Sequence, residues 1–254
     1  MTDHILVSKT DGILTLVMNR ADKKNALTND MYGVLADQIE AAGADKTVRV
    51  VVIRGAGDMF TAGNDVTEFA AARPDDGPRH VSRFIRAIAE IDKPLLAAVQ
   101  GRAVGVGTTM LLHCDYVLLA DDAKLTTPFV NLGLVPEAAS SRLLPARIGH
   151  LRAFAMLALG ETIVAHEAVT WGLANAVVPA AELASAIAAV AARIAGQPLG
   201  AVRATKRLMR DSAAVTAHMG VEGEEFMQRL QSPEAREAFL AFAERRAPDF
   251  AQCT

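Results

Sequence analysis

Two short segments of this 254-residue chain combine residue types that can hold a negatively charged oxygen. The first, Met59-Phe60-Thr61-Ala62-Gly63-Asn64-Asp65-Val66, follows the apolar run RVVVIR at 49–54. The second, Gly101-Arg102-Ala103-Val104-Gly105-Val106-Gly107, follows the apolar run Leu95–Val99. Glycine lets a backbone turn sharply and approach a ligand closely. Where a buried strand gives way to a helix, unpaired N–H groups converge on negative charge. A glycine after a strand ordinarily marks only a turn. Two such loops at matching points of successive units point to a ligand site. Neither completes G-x-G-x-x-G or carries a Walker lysine, which argues against a nucleotide fingerprint.

The elements that would position these loops follow from periodicity. Residues 5–8 and Ile13–Met18 flank the turn signal Thr10-Asp11-Gly12 and read as a hairpin. Thr28 stands as a helix N-cap before Met31, Val34, Leu35 and Ile39. The run at 49–54 reads as a buried parallel strand. A helix over 81–91, the strand Leu95–Val99 and a third strand at Tyr116–Ala120 continue the alternation. The connections are too long for hairpins, so the pattern predicts an α/β core. Residues 71–78 (AARPDDGP) have the composition of a loop. Beyond about residue 181 the strand signal stops, and 181–195, 201–211, 215–230 and 232–246 read as helices. Ser232-Pro233-Glu234 supplies a cap, a proline at the first helical position and an early acid.

Composition excludes several classes. With 51% hydrophobic residues and a net charge of -3, the chain is a globular protein without a nucleic-acid footprint. No uncharged apolar stretch reaches membrane-spanning length. Cys114 and Cys253 fit no metal or redox spacing and suit a reducing compartment. The N-terminus lacks a signal-like apolar region and the ending QCT is not a peroxisomal tripeptide, so a cytoplasmic location is expected. The histidines His4, His80, His150, His166 and His218 show no metal spacing, and His113, in an apolar run, reads as a core histidine. Ser140-Ser141 has no recognisable histidine and acid partners and reads as helix interior.

Four segments in order then carry a family resemblance: MNRADKKNAL, FTAGNDVTEF, AAVQGRAVGVGTTMLLHCDYVLLADDAKLTTPFVNLGLVPE and SPEAREAFLAFAERRAPDF. Together they resemble the crotonase (enoyl-CoA hydratase/isomerase) superfamily over nearly the whole chain. The resemblance implies a crotonase-like α/β spiral core of repeated ββα units over 1–195 and a helical oligomerisation region over 196–254. It implies an oxyanion hole made by the main-chain N–H groups of Asn64 and Val106. It further implies an acyl-CoA path along Lys23, Lys24, Ala26, Leu27, Ala62, Gly63, Asp65, Val66, Gly105, Phe129 and Leu134, with Lys206 also near the coenzyme A phosphates. Coenzyme A arrives as part of the substrate, so no separate cofactor and no metal are expected. A homo-trimer or hexamer is implied, with no membrane or nucleic-acid partner.

The family hosts many reactions on one oxyanion hole. Its hydratases use two glutamates, and alignment through Gly101, Asp115 and Gly133 puts Thr109 and Phe129 at those positions. Neither can act as a carboxylate base. The run TPFVNLGLVPEAASSRLLP resembles the peroxisomal-type Δ3,Δ2-enoyl-CoA isomerases, in which a glutamate at the place of Glu137 shuttles the proton. Taken without the family, Glu137 after Pro136 reads as an acid favoured in a helix's first turn. Asp65 reads as a cap for the helix after the first loop. The expected activity is double-bond isomerisation of an enoyl-CoA. Another crotonase reaction, hydration or thioester hydrolysis, and a silent acyl-CoA-binding protein are the alternatives.

Overall fold

β-Branched and other apolar residues dominate the first hairpin, and Ile5–Thr10 (β1) and Ile13–Met18 (β2) pair antiparallel across a two-residue Asp11-Gly12 turn. This computed structural model describes residues 3–71 and 79–253, leaving out the side chains of 69–71. Asn29–Ala44 (α1) starts at Thr28, whose Oγ1 accepts the Met31 N–H at 3.3 Å. Val50–Gly55 (β3) then pairs parallel with β2. Val66–Ala71 (α2) and His80–Glu90 (α3) precede Leu95–Val99 (β4). Of the loop expected over 71–78, residue 71 ends α2 and 72–78 lie outside the described residues.

After β4 the chain does not run straight into a helix, as the sequence suggested. Arg102–Val104 (β5) intervenes and belongs to a second sheet. Three residues alternating between exposed and buried are too short to show in a periodicity. Val106–Thr109 (α4) follows, then Tyr116–Ala120 (β6) and Lys124–Thr126 (β7). Ser140–Ile148 (α5), His150–Leu159 (α6), Ile163–Val164 (β8), Ala165–Thr170 (α7) and Ala176–Val178 (β9) complete the core's strands. The larger sheet runs β1-β2-β3-β4-β6-β9, parallel from β2 onward, and the smaller runs β5-β7-β8. Ser140 and Ser141 open α5 instead of lying inside it.

The central strands β3, β4 and β6 of the larger sheet are buried on both faces, as continuous apolar strands require. Val51, Ile53, Ala97 and Val99 join the main core with residues of α1 and α3. Their neighbours Val50, Val52, Leu96 and Ala98 pack instead on Leu183, Ile187 and Ala191 of Leu183–Ala195 (α8). The remaining helices are Leu199–Met209 (α9), Ser212–Leu230 (α10) and Pro233–Glu244 (α11). Ser232 caps α11 by accepting the Ala235 N–H at 3.1 Å. α10 packs on α3, and α11 seats Ala235 in the main core. Among the described residues no single helix is long and apolar enough to cross a membrane.

One buried polar residue ties the entry segment to the first loop. Asn25 is fully buried in a left-handed conformation, φ 54°. Its Nδ2 donates to Ala56 O at 2.8 Å and Met59 O at 2.7 Å, and its Oδ1 accepts the Arg20 N–H at 2.9 Å. Thr61 Oγ1 donates to the Asn25 carbonyl at 2.7 Å. Asn25→Ala would leave three half-buried backbone groups without this partner, at the low end of about 1–3 kcal/mol each. Urea denaturation should therefore show a loss of about 3 kcal/mol or more. A loss within about 0.5 kcal/mol, as for an ordinary surface change, would contradict this role.

Candidate active site

Backbone pairing brings the two glycine loops together in register. Thr61 and Ala103 form a parallel bridge, with Thr61 N–H donating to Arg102 O and Val104 N–H donating to Thr61 O, both at 3.1 Å. Asn64 and Val106 lie three residues beyond each bridging partner, so the bridge keeps the two in step. Gly63 permits the close approach: a Cβ there would sit 2.8 Å from Val104 O, and its φ of +87° suits glycine. Gly105, φ +55°, turns the second loop into α4.

The two N–H groups are left open by this pairing. Leu27 bridges Asn64, donating its N–H to Gly63 O at 2.8 Å and accepting the Asp65 N–H at 2.9 Å. In a parallel bridge the flanking residues make those bonds, so Asn64's own N–H points away from Leu27. Val106 begins α4, where an N–H has no partner inside the helix. Among the described residues, neither N–H has a hydrogen-bond acceptor.

Glu137 reaches the same helix from the other side. Thr109, on α4, donates its Oγ1–H to Glu137 Oε1 at 2.5 Å. The residue as a whole is half-buried, yet Oε2 is shut off from water and has no partner among the described residues. Burial pushes the carboxyl up to about 7, the Thr109 hydrogen bond pulls it down, and the nearby Glu222 charge raises it. Glu137 stands three residues ahead of α5, outside its first turn. A helix-dipole role is therefore not what places it.

The acid that serves that helix start is Glu222 of α10. Its carboxylate accepts the Ala139 N–H at 2.5 Å, the Ser141 N–H at 2.9 Å and the Ser141 hydroxyl at 2.5 Å. These bonds hold Ala138 and Ala139 left-handed, φ 59° and 56°, directly after Glu137. His113 Nε2 meets Ala138 O at 2.8 Å, while Arg210 donates to its Nδ1. Burial, then the Arg210 charge, lower its pKa to about 3, so the ring is neutral. His113 is the satisfied core histidine expected, and it also steadies the turn behind Glu137. Glu222 carried no local sequence signal, because the groups it binds lie 83 and 81 residues away.

The other expected positions divide. Leu27, Asn64 and Asp65 line a small cavity of about 20 Å³, open to solvent, together with Tyr32 and Glu68. Phe129 and Leu134 are buried in the main core, and Val66 starts α2 half-buried. Ala62 donates its N–H to Lys24 O at 2.9 Å, and Ala26 O accepts from Arg20 at 3.1 Å. Asp65 caps α2 through Thr67 N–H and Glu68 N–H and pairs with Arg20 at 2.6 Å. The Arg20 hydrogen bond holds its carboxyl below the usual range, so Asp65 shapes the wall as an anion already matched. Lys23 is exposed, and Lys24 is exposed and paired with Asp58 at 2.9 Å, a surface pair worth little. Lys206 departs from the expectation: its ammonium is buried against Asp115 at 2.7 Å and Lys93 O at 2.9 Å, its charge already matched within the fold. Tyr32 was missed because its spacing on α1 reads simply as core.

The sequence pattern of the family described as enoyl-CoA hydratase/isomerase matches residues 8–253. The chain belongs to that family. It is 32% identical over 259 residues to 1,2-epoxyphenylacetyl-CoA isomerase of Escherichia coli (strain K12), covering 98% of this chain and 99% of that protein. It is 34% identical over 250 residues to enoyl-CoA delta isomerase 2 of Rattus norvegicus, covering 95% of this chain and 64% of the rat protein. An enoyl-CoA hydratase/isomerase from Pseudoalteromonas atlantica T6c superposes with a TM-score of 0.94 at 40% identity, over 98% of this chain and 100% of the other. The crotonase fold and an acyl-CoA thioester as substrate follow for this enzyme.

A carboxyl raised to about 7 in the folded state and near 4.3 unfolded costs stability as pH rises between those values. Below them both states hold the proton and the cost is absent; above about 7 it is complete, at roughly 4 kcal/mol. Glu137→Gln should therefore match the parent near pH 4 and become more stable toward pH 8, by chemical denaturation at each pH. Equal stability at both ends would show that the carboxyl is not held in a dry site.

Proposed function

We propose that this enzyme moves a double bond from the 3 to the 2 position of an enoyl-CoA, with Glu137 as the proton shuttle. The observation carrying this reading is Glu137 Oε2, a dry, unpartnered carboxylate oxygen on a group raised to about 7. A base with a pKa near the working pH is well matched to proton transfer. Thr109 and Phe129, where the family's hydratases carry glutamates, offer no second carboxylate to activate water.

In this mechanism Glu137 removes a proton from C2 of the 3-enoyl thioester. The C–H electron pair forms C1=C2, and the thioester oxygen takes the charge as a dienolate. The N–H groups of Asn64 and Val106 hold that oxygen, where each preorganised donor is worth about 3–4 kcal/mol. Glu137 then returns the proton to C4; C2=C3 forms, C3=C4 is lost and the carbonyl is restored. Proton and electrons balance within the substrate, so the reaction needs no water, metal or cofactor beyond the coenzyme A that the substrate carries.

Glu137→Ala and Glu137→Gln should lower kcat on 3-enoyl-CoA by roughly 10³-fold, within the range for a lost acid–base group. Product analysis with 3-enoyl-CoA and 2-enoyl-CoA checks the reaction: retained isomerisation in these variants, or efficient hydration by the parent, would reject it.

We further propose that the enzyme works as a homo-trimer or a pair of trimers. Leu208, Met209, Val221, Met227 and Phe242 on the last three helices expose apolar surface that a monomer would leave in water. Sedimentation should give a mass of three or six chains, and a monomer at micromolar concentration would refute this.

A further inference from the structure

Asn64 is gripped from two sides by one rigid element. Leu27, which bridges its backbone, immediately precedes the Thr28 cap of α1. Four residues into that start, Tyr32 turns inward at 3% exposure and donates its phenol O–H to Asn64 Oδ1 at 2.5 Å. The phenol has little freedom of its own. Its ring packs against Phe84 of α3, centroids 5.5 Å apart, and its backbone N–H is bonded to Thr28 O at 3.1 Å. α2 is tied to the same corner, because Glu68 Oε1 accepts the Asn29 N–H at 3.0 Å. Tyr32, Asn64 and Glu68 share the cavity wall.

We propose that Tyr32 is a positioning residue for the oxyanion donor, fixing the Asn64 peptide through the Asn64 side chain. This rests on the reading of Asn64 N–H as that donor. The main-chain bonds at Gly63 O and Asp65 N–H hold the two peptides that flank the Asn64 Cα along one edge, and the phenol adds a third hold through the side chain. Burial, with Glu137 and Glu68 adding negative potential, raises the phenol well above its ordinary range, so it remains a donor throughout the working pH. A small rotation of one N–H matters because such donors act by preorganised direction.

The test uses a conjugated aryl-enoyl-CoA, whose absorption band moves to the red when the thioester carbonyl is polarised by hydrogen bonds. The probe needs only to bind, so it reports on the donors whether or not isomerisation is the enzyme's reaction. The parent protein should red-shift the band; Tyr32→Phe, which keeps the ring and its packing, should lose about half or more of that shift. Its affinity for the probe should change less than about threefold, and its melting temperature by only a few degrees. Asn64→Ala should lose a similar part, and the double variant no more than either single one, since residues acting as a unit are not additive. A full red shift in Tyr32→Phe, or losses that add in the double variant, would overturn the assignment to Tyr32 alone. No red shift in the parent would instead overturn the oxyanion reading of Asn64, and the Tyr32 proposal with it.

Discussion

Two backbone N–H groups can share one oxygen only if their chains run side by side without slipping, and the Thr61–Ala103 bridge imposes that condition. A shift of one residue in either loop would turn one N–H away, because neighbouring peptides face opposite directions. Much of the surrounding structure defends this register. Asn25 clamps the first loop from behind, Gly63 lets the loops approach, and β5 locks the second loop into the smaller sheet through β7. The central parallel strands, dry on both faces, give the loops a fixed base from which to emerge.

Glu137 is positioned by a different means. No regular element holds it; it lies between a 3-10 turn and α5, in irregular backbone. Its direction comes from three contacts made by distant segments. Thr109 fixes one oxygen, Glu222 fastens Ala139 and Ser141 just beyond, and His113 holds the carbonyl of Ala138. Glu222 is itself buried, and burial raises its carboxyl despite three hydrogen bonds. Two acids close together in a dry region disfavour each other's charge, which helps keep Glu137 near neutrality in its protonation.

The parts legible in the sequence were those governed by local rules. The hairpin, the Thr28 and Ser232 caps, and strands β3, β4 and β6 follow from periodicity and capping. The loop segments and Glu137 could be singled out because residue order and family resemblance identify them. β5, β7 and β8 were missed, each only two or three residues long and defined by its partner strand more than by its own pattern. The same holds for polar contacts. Asp65 as a cap is readable three residues ahead, whereas the Arg20, Tyr32 and Glu222 partnerships join residues far apart in the chain. Lys206 shows the opposite failure: a lysine on a helix reads as a surface charge, and only the packing reveals Asp115 beside it.

The placement of Glu222 has a consequence for how the enzyme comes into being. Both sheets and both loops are encoded before α8, so a nascent chain can assemble the paired loops early. The turn carrying the acid is held at Glu137 by Thr109 and at Ala138 by His113, but its two adjacent left-handed alanines stay unfavourable until the Ala139 N–H is fastened as well. That fastening arrives only when α10 emerges and docks. The helical region is thus the last component of the candidate site to be delivered, and a chain interrupted before it would lack the Glu222 bonds that close the turn behind Glu137.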